Sequence, residues 1–279
     1  MTQSVATVAG LRAALAASRH GGGPRIALVP TMGALHEGHI SLVNLAREHA
    51  GRVVVSIFIN PTQFAPAEDF SAYPRSLEAD LEKLAGRADI VFAPSAGEIY
   101  PEGFATSLSV GGPSTGLETD FRPHFFAGVA TVVAKLLIAV GPDIAVFGEK
   151  DYQQLLVVRR LVCDLGLPVT IIAAPTLREP DGLAMSSRNA YLSADERTIA
   201  GRLNLILKNA AVQARSTGDL RAAEAGATEA LWDAGFNHVD YVAIRDAQSL
   251  EHIMTLDRPA RILAAVKIGK TRLIDNMAV

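Results

Sequence analysis

From Arg25 to Pro175, short apolar runs alternate with segments whose apolar positions recur every three to four residues. RIALVP (25–30), VVVSIFIN (53–60), DIVFAP (89–94), DIAVFG (143–148) and VTIIAAP (169–175) read as buried strands. Between them, residues 39–50, 76–85, 128–141 and 151–166 carry helical periodicity. The first of these helices is expected to bury Leu42, Leu45, Ala46 and His49. Strands alternating with helices imply right-handed crossovers and a parallel sheet covered on both faces. Past Thr176 the pattern changes. One long helix is predicted over SADERTIAGRLNLILKNAAVQAR, opened by a capping box of Ser193 with Glu196, and a second over about 219–234. Three strand-like runs follow at 239–247, 260–269 and 271–279. The expected fold class is α/β: a Rossmann-like doubly wound parallel sheet (residues 1–177) with a smaller C-terminal α+β domain (178–279).

Composition narrows the class. With 49% hydrophobic and 20% charged residues, the chain reads as an ordinary globular protein. A formal net charge of −3 makes bulk binding to nucleic acid a poor expectation, though a local anion site is compatible with it. Cys163 is the only cysteine, so one chain can form neither an internal disulfide nor a four-thiolate zinc site; it is expected as a small core residue. The alanine-rich N-terminus reads as an amphipathic helix rather than a signal or anchor. The expectation is therefore a cytoplasmic protein without a membrane role.

Polar clusters sit where the strands end: TMGALHEGH, NPTQF, GEKDYQQ, and LREPDGLAMSSRN beyond the fifth strand. Open parallel sheets bind ligands outside the carboxyl ends of their strands, so these clusters are expected on one rim. His36 and His39 stand at i and i+3, on one helix face, with Gly38 between them easing a bulky group's approach. A helix N-terminus favours phosphate, and two imidazoles there suit a polyphosphate. A zinc reading is weaker, because the zinc-protease helix needs histidines at i and i+4; ordinary surface histidines are the bland alternative. Asn60 and Gln63 carry amides suited to hydroxyls and carboxylates, or to a capped turn. Lys150 is suited to phosphate, and Asp151 to an N-cap. Ser186, Ser187 and Arg188 can grip an anion, and the Asp181-Gly182 turn ahead of them could make that loop a mobile clamp.

Taken together, VPTMGALHEGH, VVVSIFINPTQF, YPR, DIAVFGEKDYQQL, DGLAMSSRNAYL and RLIDN resemble the pantoate–β-alanine ligases, members of the nucleotidyltransferase superfamily with an HxGH motif. The motifs run in the family's order through almost the whole chain. The resemblance implies two steps on Mg-ATP. Pantoate attacks the α-phosphorus to give pantoyl adenylate and pyrophosphate, and β-alanine then displaces AMP to give pantothenate. It also implies a homodimer with a C-terminal lid. Carried over by motif, ATP would be lined by Met32, Gly33, Ala34, Leu35, His36, Glu37, Gly38, His39, Gly148, Glu149, Lys150, Asp151, Leu177, Met185, Ser186, Ser187 and Arg188. The catalytic set would be His39, His36, Lys150, Ser187 and Arg188. Gln63 and Gln154 would hold pantoate, with Asn60 supporting the pocket. Mg²⁺ would ride on ATP oxygens and water rather than on protein ligands, with Asp80 as an outer-shell candidate. One stretch departs from the family. RPHFFAGV puts His124 one place early and Phe125 where a histidine is usual, so His124 is left out of the catalytic set. Three rival readings are an HxGH transferase that stops at nucleotide transfer, a zinc hydrolase using His36 and His39, and a non-catalytic nucleotide-binding module.

Overall fold

A computed structural model describes residues 2–19, 22–64 and 76–279; the YPR motif (73–75) lies outside them. The chain divides into two compact units. The first comprises 1–110, 122–149 and 157–175, and the second 111–121, 150–156 and 176–279.

The first unit is built on six parallel strands: β1 (Gln3–Val5), β2 (Ile26–Thr31), β3 (Arg52–Ile57), β4 (Ile90–Phe92), β5 (Ile144–Gly148) and β6 (Thr170–Ala174). Their order is β1-β4-β3-β2-β5-β6. Each of the five expected strands is present. β1 departs from the expectation: its three residues fall in a stretch that reads as helix, and only pairing with β4 makes them a strand. The helix that follows, α1, spans Val8–Arg19 and buries Leu11 and Leu15. Strand order runs outward from β2 on one side and from β5 on the other, so the topological switch point lies between those two strands.

The remaining helices are α2 (Glu37–His49), α3 (Leu77–Leu84), α4 (Ala96–Ile99), α5 (Glu118–Phe121), α6 (Phe125–Val140), α7 (Tyr152–Asp164), α8 (Ala194–Ala200), α9 (Arg202–Thr217) and α10 (Leu220–Ala234). The inward face of α2 is Ile40, Val43 and Ala46, packed with Val29, Val53 and Val146 of the sheet. Leu42 and Leu45 are only partly buried, so the buried stripe is rotated around the helix from the expected one. The free Cys163 is exposed, not in the core. The buried side of α7 runs through Leu155, Val158, Leu161 and Val162, and the next position turns outward.

The second unit pairs α9 and α10 with an antiparallel sheet of β7 (His238–Asp246), β8 (Ala260–Ile268) and β9 (Thr271–Ala278). Leu203, Leu207, Leu231, Ile262, Ala264 and Val266 belong to its core. The long helix expected from Ser193 onward is two helices. Its capping box is present, but α8 ends at Gly201, where a Cβ would collide with the Asp181 carboxylate. Among the described residues no helix is long and apolar enough to cross a membrane.

Candidate active site

The loop after β2 begins with two left-handed residues, Gly33 at φ +85° and Ala34 at φ +51°. A Cβ on Gly33 would lie 3.0 Å from Asp80 Oδ2 and 3.1 Å from Ile57 Cγ2, so the loop passes too close for a side chain. Asp80, on α3, is 2% exposed. Its carboxylate accepts the amides of Ala34 at 2.9 Å and Leu35 at 2.8 Å. The Lys83 ammonium donates to the Leu35 carbonyl from the same helix. Both Asp80 oxygens are thus engaged by the loop, which makes this residue its anchor.

His36 is the N-cap of α2. Its Nδ1 accepts the Gly38 amide at 3.1 Å, and His39 Nδ1 accepts the His36 amide at 3.3 Å. The two rings lie 4.1 Å apart, centroid to centroid. A backbone N–H can only donate, so each Nδ1 must carry its lone pair, and each neutral ring carries its proton on Nε2. Two of the amides expected to meet a ligand at this helix start are therefore turned to imidazoles. Donation from each ring then falls to its Nε2–H group. The adjacent Met32 and Gly38 are half-buried, and Glu37 is exposed.

At the exit of β3, Asn60 is fully buried. Its amide nitrogen donates to Gln63 Oε1 at 2.9 Å and to the Gly128 carbonyl at 3.1 Å. Its oxygen accepts from the Tyr100 hydroxyl at 2.8 Å and the Thr62 hydroxyl at 3.0 Å. Asn60 therefore shapes the turn that presents the half-buried Gln63. Arg122 donates to the Gln63 carbonyl at 2.9 Å, and its guanidinium carbon lies 4.0 Å from the centre of the Phe125 ring. The aromatic ring at the family's histidine position thus backs the arginine that holds Gln63, while His124 is exposed at the start of α6. Burial of Tyr100 pushes its hydroxyl pKa up, keeping it a neutral donor. Since β3, β2 and β5 are neighbours, the first unit gathers three clusters at adjacent strand exits: 32–39, 60–63 and Gly148-Glu149.

The second unit carries the remaining residues. Lys150 and Asp151 form a short turn of 3-10 helix with Glu149, and the Lys150 ammonium stands 3.7 Å from Asp151 Oδ1. Of the two glutamines that follow, Gln153 is 5% exposed and accepts the Glu118 amide while donating to the carbonyls of Pro113 and Gly116. Gln154 beside it is half-buried. Leu177 is exposed, and its carbonyl accepts the Met185 amide at 3.0 Å. The Asp181-Gly182 turn is fastened on several sides. Arg178 donates to the Gly182 carbonyl at 3.0 Å, and Asp181 pairs with Arg197 and accepts the Leu183 amide. Ser186 caps the 3-10 helix of Ser187–Tyr191 by accepting the Arg188 amide. Ser186, Ser187 and Arg188 are each half-buried. Sequence reasoning missed Asp80 as a loop anchor, Gln153 as a brace and Arg178 as a clasp, because Asp80 and Gln153 act on backbone distant in sequence and Arg178 is held in place by the distant Asp275. The buried polar type of Asp80 and Gln153 on otherwise apolar helix faces was the only available signal.

The profile of the pantoate-beta-alanine ligase family matches residues 3–278. A pantothenate synthetase of Mesorhizobium japonicum is 58% identical over 276 residues, 99% of this chain and 97% of that one. A solved pantothenate synthetase of Thermus thermophilus superposes with a TM-score of 0.92 at 46% identity, covering 99% of this chain and 98% of the other. A pantoate-beta-alanine ligase of Francisella tularensis, solved in complex with beta-gamma ATP and beta-alanine, gives a TM-score of 0.82 at 34% identity, with coverage of 100% and 98%.

Proposed function

The chain belongs to the pantoate-beta-alanine ligase family, and from that premise we propose how its own residues serve the reaction. It condenses pantoate with β-alanine to give pantothenate. The carboxylate is first activated as pantoyl adenylate, with loss of pyrophosphate; the amine then displaces AMP. Little covalent work falls to the protein in such a sequence. It must hold two anions together and offset charge as pyrophosphate departs.

The observation that carries the assignment of roles is the double imidazole cap at the start of α2. With Nδ1 committed to backbone amides, His36 and His39 act as neutral Nε2–H donors to phosphate oxygens. Protonating either ring at Nδ1 would break a cap bond, which disfavours His39 as a transferable acid. Residues 32–39 and 148–151, with Leu177 and Met185 to Arg188, take the nucleotide; Lys150, Ser187 and Arg188 take its phosphates. Gln63 and Gln154 take pantoate by its hydroxyls and carboxylate, and Asn60 acts through Gln63. Among the described residues no group of three or more His, Cys, Asp or Glu side chains could hold an ion. Mg²⁺ is assigned to ATP oxygens and water on the chemistry of a hard cation beside a triphosphate, whose charge it would neutralise. The same reading makes the enzyme a cytoplasmic homodimer, with a nucleotide- and pantoate-binding domain of residues 1–177 and a C-terminal lid domain of residues 178–279.

The test is to incubate the protein with ATP, Mg²⁺ and pantoate, then add β-alanine. Pyrophosphate forming with pantoate, and pantothenate with AMP only after β-alanine, is the expected result. Nucleotide transfer that β-alanine does not alter would favour a simple nucleotidyltransferase. Nucleotide binding without release of either product would favour a binding module.

A further inference from the structure

Asn276, on β9, is 3% exposed and lies 126 residues from Lys150 in sequence. Its side-chain nitrogen donates to the Lys150 carbonyl at 2.8 Å. Its side-chain oxygen accepts Arg261 Nε at 2.6 Å, and the Arg261 guanidinium carbon sits 3.7 Å from the centre of the Tyr152 ring. The Tyr152 hydroxyl donates to the Ala247 carbonyl at 2.7 Å. Next to it, Asp275 takes Arg178 in a two-pronged pair at 2.8 and 2.9 Å. All these groups belong to the second unit.

We propose that Asn276 is a positioning residue for Lys150. It fixes the backbone from which the ammonium reaches the phosphates, while Asp275 fixes the turn that leads to Ser187 and Arg188. The inference rests on the role given to Lys150 above. An amide side chain suits the place, since one end accepts from a guanidinium while the other donates to a carbonyl. A carboxylate would keep the bond to Arg261 and turn an acceptor toward the Lys150 carbonyl. Asn276→Asp is therefore nearly isosteric, keeps the acceptor for Arg261 and replaces the donation to the Lys150 carbonyl with an opposed oxygen.

The experiment is a double-mutant cycle on the full-length enzyme with Asn276→Asp, Lys150→Ala and the combination. KM and kcat are measured for ATP and for pantoate, and thermal unfolding is followed in parallel. Asn276→Asp should lower kcat/KM for ATP about tenfold, the scale of one lost hydrogen bond, while KM for pantoate changes little. In the Lys150→Ala background the same change should cost less than about twofold, because the two share one function. Multiplicative losses, or native ATP kinetics in Asn276→Asp beside a crippled Lys150→Ala, would overturn the proposal. Near-normal turnover by Lys150→Ala would instead overturn the role of Lys150, and this inference with it. Should Asn276→Asp fail to fold, Asn276→Ala removes the same donor without adding charge, and the same outcomes apply.

Discussion

Replacing Asp80 with asparagine isolates the anchor of the loop after β2, to which the proposed function gives the nucleotide. The carboxylate is buried and accepts two amides, one on each oxygen, at 2.9 and 2.8 Å. An amide side chain keeps one acceptor and turns its NH₂ toward the second backbone N–H. Either Ala34 or Leu35 then loses its partner. A buried donor left unsatisfied costs about 1–3 kcal/mol. The loop has little freedom to absorb that cost, with Gly33 pressed between Asp80 and Ile57 and Ala34 already left-handed. If the loop shifts, the cost falls on the population able to bind ATP, and kcat/KM for ATP drops about 5- to 160-fold. If it stays, the cost falls on stability, at about 2–4 °C of unfolding midpoint per kcal/mol. Pyrophosphate release across an ATP titration measures the first, and a thermal scan the second. An Asp80→Asn enzyme with native kcat/KM and a native midpoint would refute the assignment of this carboxylate as the loop's anchor.

His39→Ala should lose at least about a hundredfold in kcat, having lost both a phosphate donor and the acceptor for the His36 amide, while pantoate affinity falls only modestly; near-native turnover would count against the role. Gln63→Ala should weaken pantoate binding before ATP binding, and separate titrations of the two ligands would expose the reverse order. Gly128→Ala should destabilise by about 1–3 kcal/mol and raise KM for pantoate, because a Cβ there meets the Thr62 backbone that shapes the Gln63 turn; chemical denaturation reads the first effect. Asp181 has a depressed pKa, chiefly through its hydrogen bond to Arg197. Its contribution to stability is thus present above the ordinary carboxylate range near pH 4 and lost as pH falls through the lower folded value. Asp181→Asn should melt below the native protein at neutral pH, with the gap closing under acid; a gap that widens under acid would reverse the sign.

Period and punctuation along the chain were enough to place the five central strands β2 to β6 and the change of character past Thr176. Runs dominated by β-branched residues, such as Val-Val-Val-Ser-Ile at 53–57, show no polar and apolar alternation and suit burial on both faces, which is what a parallel sheet between helices requires. Gly141 and Gly235, at helix ends, and the Ser193 capping box act within a few residues, so local chemistry suffices to announce them. Residue types suited to an anion, His36, His39, Lys150 and Ser186 to Arg188, can be read at the strand ends before any coordinates are known, whereas the roles expected of Met32, Leu177, Met185, Gln63 and Gln154 came from the resemblance. Tertiary structure alone decided the rest. β1 is a strand only because β4 is there to pair with it. Asp80, Asn60, Gln153 and Asn276 are ordinary polar letters in the sequence. Each gains its meaning from backbone donors or acceptors on a distant segment, within hydrogen-bond reach only once both are buried. The orientation of His36 and His39 belongs with these. The sequence shows two imidazoles three residues apart, and the folded helix start decides that each accepts at Nδ1, leaving the proton on Nε2.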